Sequence, residues 1–334
     1  MSDPAPSGPV EAPEPVRRRR GARWLVGNVV LPAVFTAALV AVVVNRWDDL
    51  APIFEDPDGS LLLIAVLVIA GHSLNSAEFW LLYRAQGMAI GLFENWMVFT
   101  AGQLGNLLPG QVGTLYRFRY LKVVHGFSYT RSGSSFGANL VITFASSAVA
   151  GLLGLAGVAL TGGIARWWLI AAFAALGVGS SMLVFVPMPH VRWLRGRPAR
   201  VWHGFRTGWE DLRRQPRVAL GVLALDLAKY VLVAWRFQIS FSLLGVEDPV
   251  WYFLVIAPAA GLAGALSFTP GGLGFREAFV TAAAVGMGSE FDVGLLAATV
   301  DRGVMLATSV LLGGIGYAYT FRRMRVARSA ATVS

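Results

Sequence analysis

Seven ionisable side chains stand inside or against long apolar sequence. Asp226, Lys229 and Arg236 fall within the stretch Val218 to Leu244, Asp301 and Arg302 within Val293 to Thr320, and Arg276 and Glu277 directly after the segment Pro270-Gly271-Gly272-Leu273-Gly274. A charge near the centre of a bilayer costs about 2.5 to 3.5 kcal/mol on insertion scales, so seven isolated ones would cost roughly 20 kcal/mol. They must be paired, hydrated or both. One reading is mechanical: Asp226 pairs with Lys229, and Asp301 or Glu277 with the arginines, to hold helices together. The other is a hydrated polar cavity. Four of the seven are positive and Arg117 adds a fifth, so such a cavity suits an anion, which an arginine fork can hold through two parallel donors. Little other chemistry is on offer. The chain has no cysteine, and its four histidines (His72, His125, His190, His203) form no HExxH pair. Neither lysine follows a glycine as a Walker A loop requires. No cofactor and no metal site are expected.

The elements that must position these groups are themselves apolar. Of 334 residues 55% are hydrophobic and 14% charged, and mean hydropathy is +0.59; a soluble domain carries about a quarter charged residues. The fold class implied is all-α, a polytopic helical membrane protein. Runs of the ~20 residues that cross a ~30 Å hydrocarbon core occur at Trp24 to Val44, Leu61 to Tyr83, Ser134 to Leu160, Trp167 to Val186, Val218 to Leu244 and Val293 to Thr320, giving six full spans. Leu92 to Leu115 and Trp251 to Gly286 are interrupted by Pro-Gly and further glycines, which a plain helix tolerates badly. They read as broken or re-entrant hairpins. Residues 1–23, rich in proline and arginine, cannot bury a core and read as a disordered basic tail; residues 322–334 form a second tail, leaving 24–321 as one transmembrane domain. A basic run before Trp24 to Val44 also fits a signal peptide, but acidic sequence follows instead of a clear cleavage site, so the segment reads as a retained span.

Twenty-eight basic residues, all arginine except Lys122 and Lys229, exceed nineteen acidic ones by nine. That charge tracks the loops, and nucleic acid is not an expected partner. The N-terminal cluster, Arg84, the stretch Arg117 to Arg131, the loop Arg192 to Arg217 and the tail Arg322 to Arg328 belong in the cytoplasm by the positive-inside rule. Asp48, Asp49, Glu55, Asp56, Asp58, Glu247, Asp248, Glu290 and Asp292 sit in the alternate loops. Both termini then lie on the cytoplasmic side of the cell membrane, and the halves 24–160 and 167–320 run in opposite senses. The sequence repeats accordingly: Pro109-Gly110-Gln111-Val112-Gly113 recurs as Pro270-Gly271-Gly272-Leu273-Gly274, each proline 26 residues beyond the end of its preceding span at Tyr83 or Leu244. Interrupted segments in corresponding positions of inverted halves point to a transporter's binding site. Helices restarting after each turn would aim N–H groups at an anion there, with Gln103 and Asn106 either lining the cavity or satisfying broken backbone.

At these two motifs the chain resembles the lysylphosphatidylglycerol synthase transmembrane family, the membrane proteins related to the flippase domain of the multiple peptide resistance factor. The first match is Gly102-Gln103-Leu104-Gly105-Asn106-Leu107-Leu108-Pro109-Gly110-Gln111-Val112-Gly113, followed by Arg117 and Tyr120-Leu121; the second is Thr269 to Glu277, with Arg302 matching an arginine of the last span. The resemblance covers roughly Trp24 to Phe321. Thr114 stands where many members carry Glu after the first motif. The chain stops a dozen residues past its last span, so the resemblance implies the flipping half of the family's chemistry rather than aminoacyl-lipid synthesis.

The leading expectation is a translocase for an anionic phospholipid or lipid-linked precursor, its headgroup held by the motifs and by Arg117, Arg276 and Arg302, with Glu277 orienting an arginine. Its partners would be that lipid and either a second copy of the chain or the enzyme that makes the lipid. His72 and Glu78, on one side of the second span with Asn75, form a possible proton relay or a polar helix contact. The alternatives are a polyprenyl-phosphate-sugar glycosyltransferase, using Asp48-Asp49 and Asp56-Pro57-Asp58 in the first outer loop, and a non-catalytic accessory subunit. Gly133-Ser134-Ser135-Phe136-Gly137 fits GxSxG but opens a membrane helix without a preceding strand, which argues against a hydrolase.

Overall fold

A computed structural model describes residues 59–108, 112–185, 196–266 and 272–333, with a few residues between 41 and 51. The expected basic tail, nearly all of the first span, the acidic pairs of the first outer loop, and Pro109, Gly110, Pro270 and Gly271 lie outside the described residues. Among the described residues the chain folds into ten helices and no strand: α1 Ser60–Ala85, α2 Leu92–Asn106, α3 Val112–His125, α4 Tyr129–Leu160, α5 Trp167–Phe185, α6 Arg197–Arg213, α7 Pro216–Ser242, α8 Val250–Leu266, α9 Phe275–Met287 and α10 Phe291–Val333. Helices α1, α4 and α7 and residues Phe291–Ala327 of α10 are long and apolar enough to cross a membrane, while α5 and α8 contain shorter apolar segments. Leu62, Leu63, Val66, Leu153, Leu311 and Ile315 are exposed on these helices. Such outward apolar faces suit hydrocarbon rather than water.

Local chemistry sets the ends. The Ser128 hydroxyl caps α4 by accepting from the Arg131 N–H at 3.3 Å, and α7 opens on Pro216, whose missing N–H costs nothing at that position. Helix α9 follows two left-handed glycines, Gly272 at φ 73° and Gly274 at φ 76°, a conformation open to few other residues.

The two halves exchange elements. Helices α2 and α3 run antiparallel, with Glu94 meeting Tyr120 and His125 at one end and Asn106 meeting Thr114 at the other. Helices α8 and α9 pair in the same way, Tyr252 bonding to Ala284 and Ser289. Helix α2 packs along α10, the last long helix of the second half, and α8 along α4, the last of the first; α1 and α7 pack against each other. Glycines permit the close approaches. A side chain on Gly313 or Gly316 would strike α2 at Thr100 and Leu104 or Met97 and Ala101, and one on Gly154 or Gly157 would strike α8 at Val255 or Trp251. This is the small-residue packing by which membrane helices associate. The two largest apolar clusters are one around Phe79, Phe99 and Tyr120 and one around Phe237, Phe253 and Val280.

Two segments differ from their sequence reading. Much of the arginine-rich loop 192–217 is the amphipathic helix α6, whose Trp209 and Leu212 are buried and whose Phe205 ring packs on Gly137 of α4. The C-terminal tail continues α10 to Val333 instead of leaving the helix, because nothing between Phe321 and Val333 is a glycine or proline. The GxSxG stretch lies within α4, where Ser135 accepts from Gln86 at 2.8 Å.

Candidate functional site

A cavity of about 950 Å³ lies between the two halves. Helix α1 brings His72 and Asn75 to it, α2 Gln103 and Asn106, α3 Arg117, α7 Lys229 and Arg236, the start of α9 Arg276, and α10 Arg302. Five basic side chains thus line it, and among the described residues no carboxylate does. Between them the wall is mostly apolar, from Val68, Phe118, Leu140, Val233, Met305 and Leu306, with Asn139, Thr143, Tyr230 and Ser309 as neutral polar groups.

The carboxylates stand behind the bases. Asp301, fully buried, accepts from Arg236 Nε at 2.8 Å and Nη2 at 2.5 Å and from Arg276 Nη2 at 2.8 Å. Glu277 lies 3.4 Å from Arg302 Nε. Lys229 Nζ is 3.1 Å from Glu78 Oε1 and closer still to Asp226. Each buried anion has a cation beside it, as burial of a charge demands, the arginines being buried and Lys229 partly exposed. The pairing leaves donors over: Arg276 Nη1 is buried without a hydrogen-bond partner, although the residue lines the cavity and is only 6% exposed. Arg117 is held differently, its guanidinium 4.1 Å from the Phe79 ring centre and 5.1 Å from that of Phe99. A desolvated guanidinium with a donor left over is a preformed place for a phosphate or carboxylate.

The helix breaks serve this arrangement. Asn106 lines the cavity and also accepts from the Thr114 N–H at 3.1 Å, satisfying one of the orphan donors that open α3. Gly113 abuts the Gly102 carbonyl and Asn106 so closely that no side chain fits. Gly272 lines the cavity ahead of Arg276, and Gly274 caps α9 without a side chain.

Of the residues singled out from sequence, His72, Gln103, Asn106, Arg117, Lys229, Arg236, Gly272, Arg276 and Arg302 line one space, whereas Glu78, Asp226, Glu277 and Asp301 support it from behind. His72 and Glu78 take separate partners: His72 Nε2 sits 3.2 Å from the Ser309 hydroxyl, and Glu78 accepts from Asn139 at 2.9 Å and from Lys229. Sequence reasoning passed over Asn139, Ser146, Ser147 and Tyr230. Ser146 donates to Asp226, and Ser147 and Tyr230 share a 2.6 Å hydrogen bond beside them. The available signal was Asn139 and Ser146 seven residues apart, two turns of one face, in an apolar helix.

Fold and site define a polytopic all-helical membrane protein with a basic cavity between two packed halves. The family described as Lysylphosphatidylglycerol synthase TM region matches residues 26–313, and the chain belongs to it. Membership places its role with membrane lipids. No curated protein matches the chain.

Proposed function

We propose that the protein is a translocase for an anionic phospholipid or lipid-linked precursor. The observation that supports this is the composition of the cavity wall: five bases and no acid, set among apolar side chains. A soluble anion has no use for the apolar part, and a neutral lipid none for the bases. An anionic amphiphile uses both. In this reading Arg117, Arg276 and Arg302 hold the headgroup, Gln103, Asn106, Gly113 and Gly272 shape its pocket, and the acyl chains follow Leu140, Met305 and Leu306 toward lipid. The α2–α3 and α8–α9 pairs are re-entrant hairpins entering from opposite faces of the cell membrane, so the site lies near the midplane and can open to either side.

Reconstitution tests this directly. In liposomes containing head-labelled phosphatidylglycerol, translocation measured by quenching of the outer leaflet should require the protein. Arg276→Ala should slow it roughly ten- to a hundredfold, the value of a charge-assisted desolvated contact of about 1.5 to 3 kcal/mol. Arg276→Lys should recover part, since an ammonium lacks the fork. Translocation by Arg276→Ala at the parent rate, with equal protein levels, would remove this arginine from the site.

A further inference from the structure

Glu78 and Asp226 are both fully buried, and both converge on the single ammonium of Lys229. Two carboxylates against one lysine leave a surplus negative charge where desolvation is most expensive. Like-charged carboxylates sharing a site do not both ionise readily. Among the described residues no other charge is in ion-pair contact with the pair. From α4 come only Asn139, donating to Glu78, and Ser146, donating to Asp226; from α7 comes the Tyr230 hydroxyl, tied to Ser147. Arg236 lies ten residues along α7, about 15 Å by helical rise, and is committed to Asp301. Arg117 stacks on Phe79 and Phe99. Lys229, in contrast, belongs to two settings, because it also lines the cavity where an anion would sit.

We infer that Glu78 and Asp226 share one proton in the ligand-free protein and take up a second when an anionic headgroup draws Lys229 into the cavity, which makes them a proton-coupling site. The steps balance. Loading transfers a proton from water on the loading side to a carboxylate oxygen, as the Lys229 ammonium exchanges that carboxylate for the headgroup anion. Release on the other side returns Lys229 to the carboxylates and the proton to water there. One proton accompanies one headgroup charge, so the cycle is electroneutral and a pH gradient can drive it. The coupling rests on the translocase reading; the shared proton does not.

Two measurements separate the parts. Infrared spectra of the ligand-free protein in detergent at neutral pH should contain the carbonyl band of a protonated carboxylic acid, lost in Glu78→Gln and in Asp226→Asn, each of which leaves one carboxylate for one lysine. A parent protein without that band overturns the shared proton. Calorimetric titration of the parent with short-chain phosphatidylglycerol, in two buffers of different ionisation enthalpy, should show uptake of about one proton per lipid bound. Binding with no proton uptake overturns the coupling and leaves the translocase reading standing. Absence of binding overturns the translocase reading and the coupling with it, while the infrared band still decides the shared proton.

Discussion

Arg117 donates to the Tyr83 hydroxyl at 3.3 Å, and that neutral oxygen takes the place a carboxylate holds beside the other basic groups of the cavity. Among the described residues no acid lies within ion-pair distance of Arg117, while Asp301 alone serves both Arg236 and Arg276. Two arginines of one cavity should therefore respond differently to mutation.

Arg117→Ala orphans no buried anion. Its stability cost comes from lost stacking on Phe79 and Phe99 and from the buried Tyr83 hydroxyl left without its donor, together about 1 to 3 kcal/mol. Its effect on ligand should be a tenfold to hundredfold loss in affinity for phosphatidylglycerol. Thermal unfolding and lipid binding measured on the same detergent preparation distinguish the two. Unchanged affinity would remove Arg117 from the headgroup site.

Asp301→Asn does the reverse. It strips the counter-charge from two buried guanidinium groups, and breaking a buried pair from one side costs about 3 to 5 kcal/mol. The expected readout is a large fall in unfolding temperature, partly recovered when Arg236→Gln removes one of the stranded cations. A variant as stable as the parent would mean that the arginines are neutralised by something other than Asp301.

The charged residues of the site are legible in sequence because apolar surroundings make each of them conspicuous. Their pairing is not. Asp301 and Arg302 are neighbours in the chain, yet successive helical positions point about 100° apart, so Asp301 reaches Arg236 and Arg276 while Arg302 turns to Glu277. His72 and Glu78 fail to meet for a related reason. They share a helix side in sequence, but α7 and α4 insert Lys229 and Asn139 at Glu78, and α10 offers Ser309 to His72. Helix α6 carried its signal openly in Trp202, Phe205, Trp209 and Leu212, an i, i+3, i+7, i+10 stripe, among arginines that read as a loop. Asn139 and Ser146 are visible only as single polar residues in an apolar run, and nothing in that run says which carboxylate each will meet.

Gly113→Ala tests whether the α2–α3 contact sets the site. The added methyl would meet the Gly102 carbonyl oxygen and Asn106, so the helices must part, at about 1 to 3 kcal/mol for an overpacked contact. Asn106 would lose its hold on Thr114, and Arg117, which packs over Gly102, would shift with α3. Lipid affinity should fall together with stability. Gly179→Ala in α5, where a methyl meets nothing within 4 Å, is the control and should be neutral or slightly stabilising. Equal behaviour of the two variants would refute a positioning role for the glycine contact.

Orientation in the membrane follows from which segments share an end of the fold. Gln215 bonds to the Ala85 carbonyl at 3.0 Å, Gln86 to Ser135 at 2.8 Å and Arg323 to Glu94 at 3.0 Å, so the segments around Arg84, Arg131, Arg213 and Arg323 gather on one side. The opposite side joins Tyr252 to Ser289 at 2.9 Å, next to Glu247 and Glu290. By the positive-inside rule the basic end is predicted to face the cytoplasm. A chain without cysteine makes the test clean, because His203→Cys, Glu247→Cys and Glu290→Cys each introduce a single thiol at an exposed position. In intact cells a membrane-impermeant maleimide should label the latter two and spare His203→Cys until the membrane is permeabilised. Labelling of His203→Cys from outside, with the other two protected, would invert the predicted orientation while leaving the cavity between the halves unchanged.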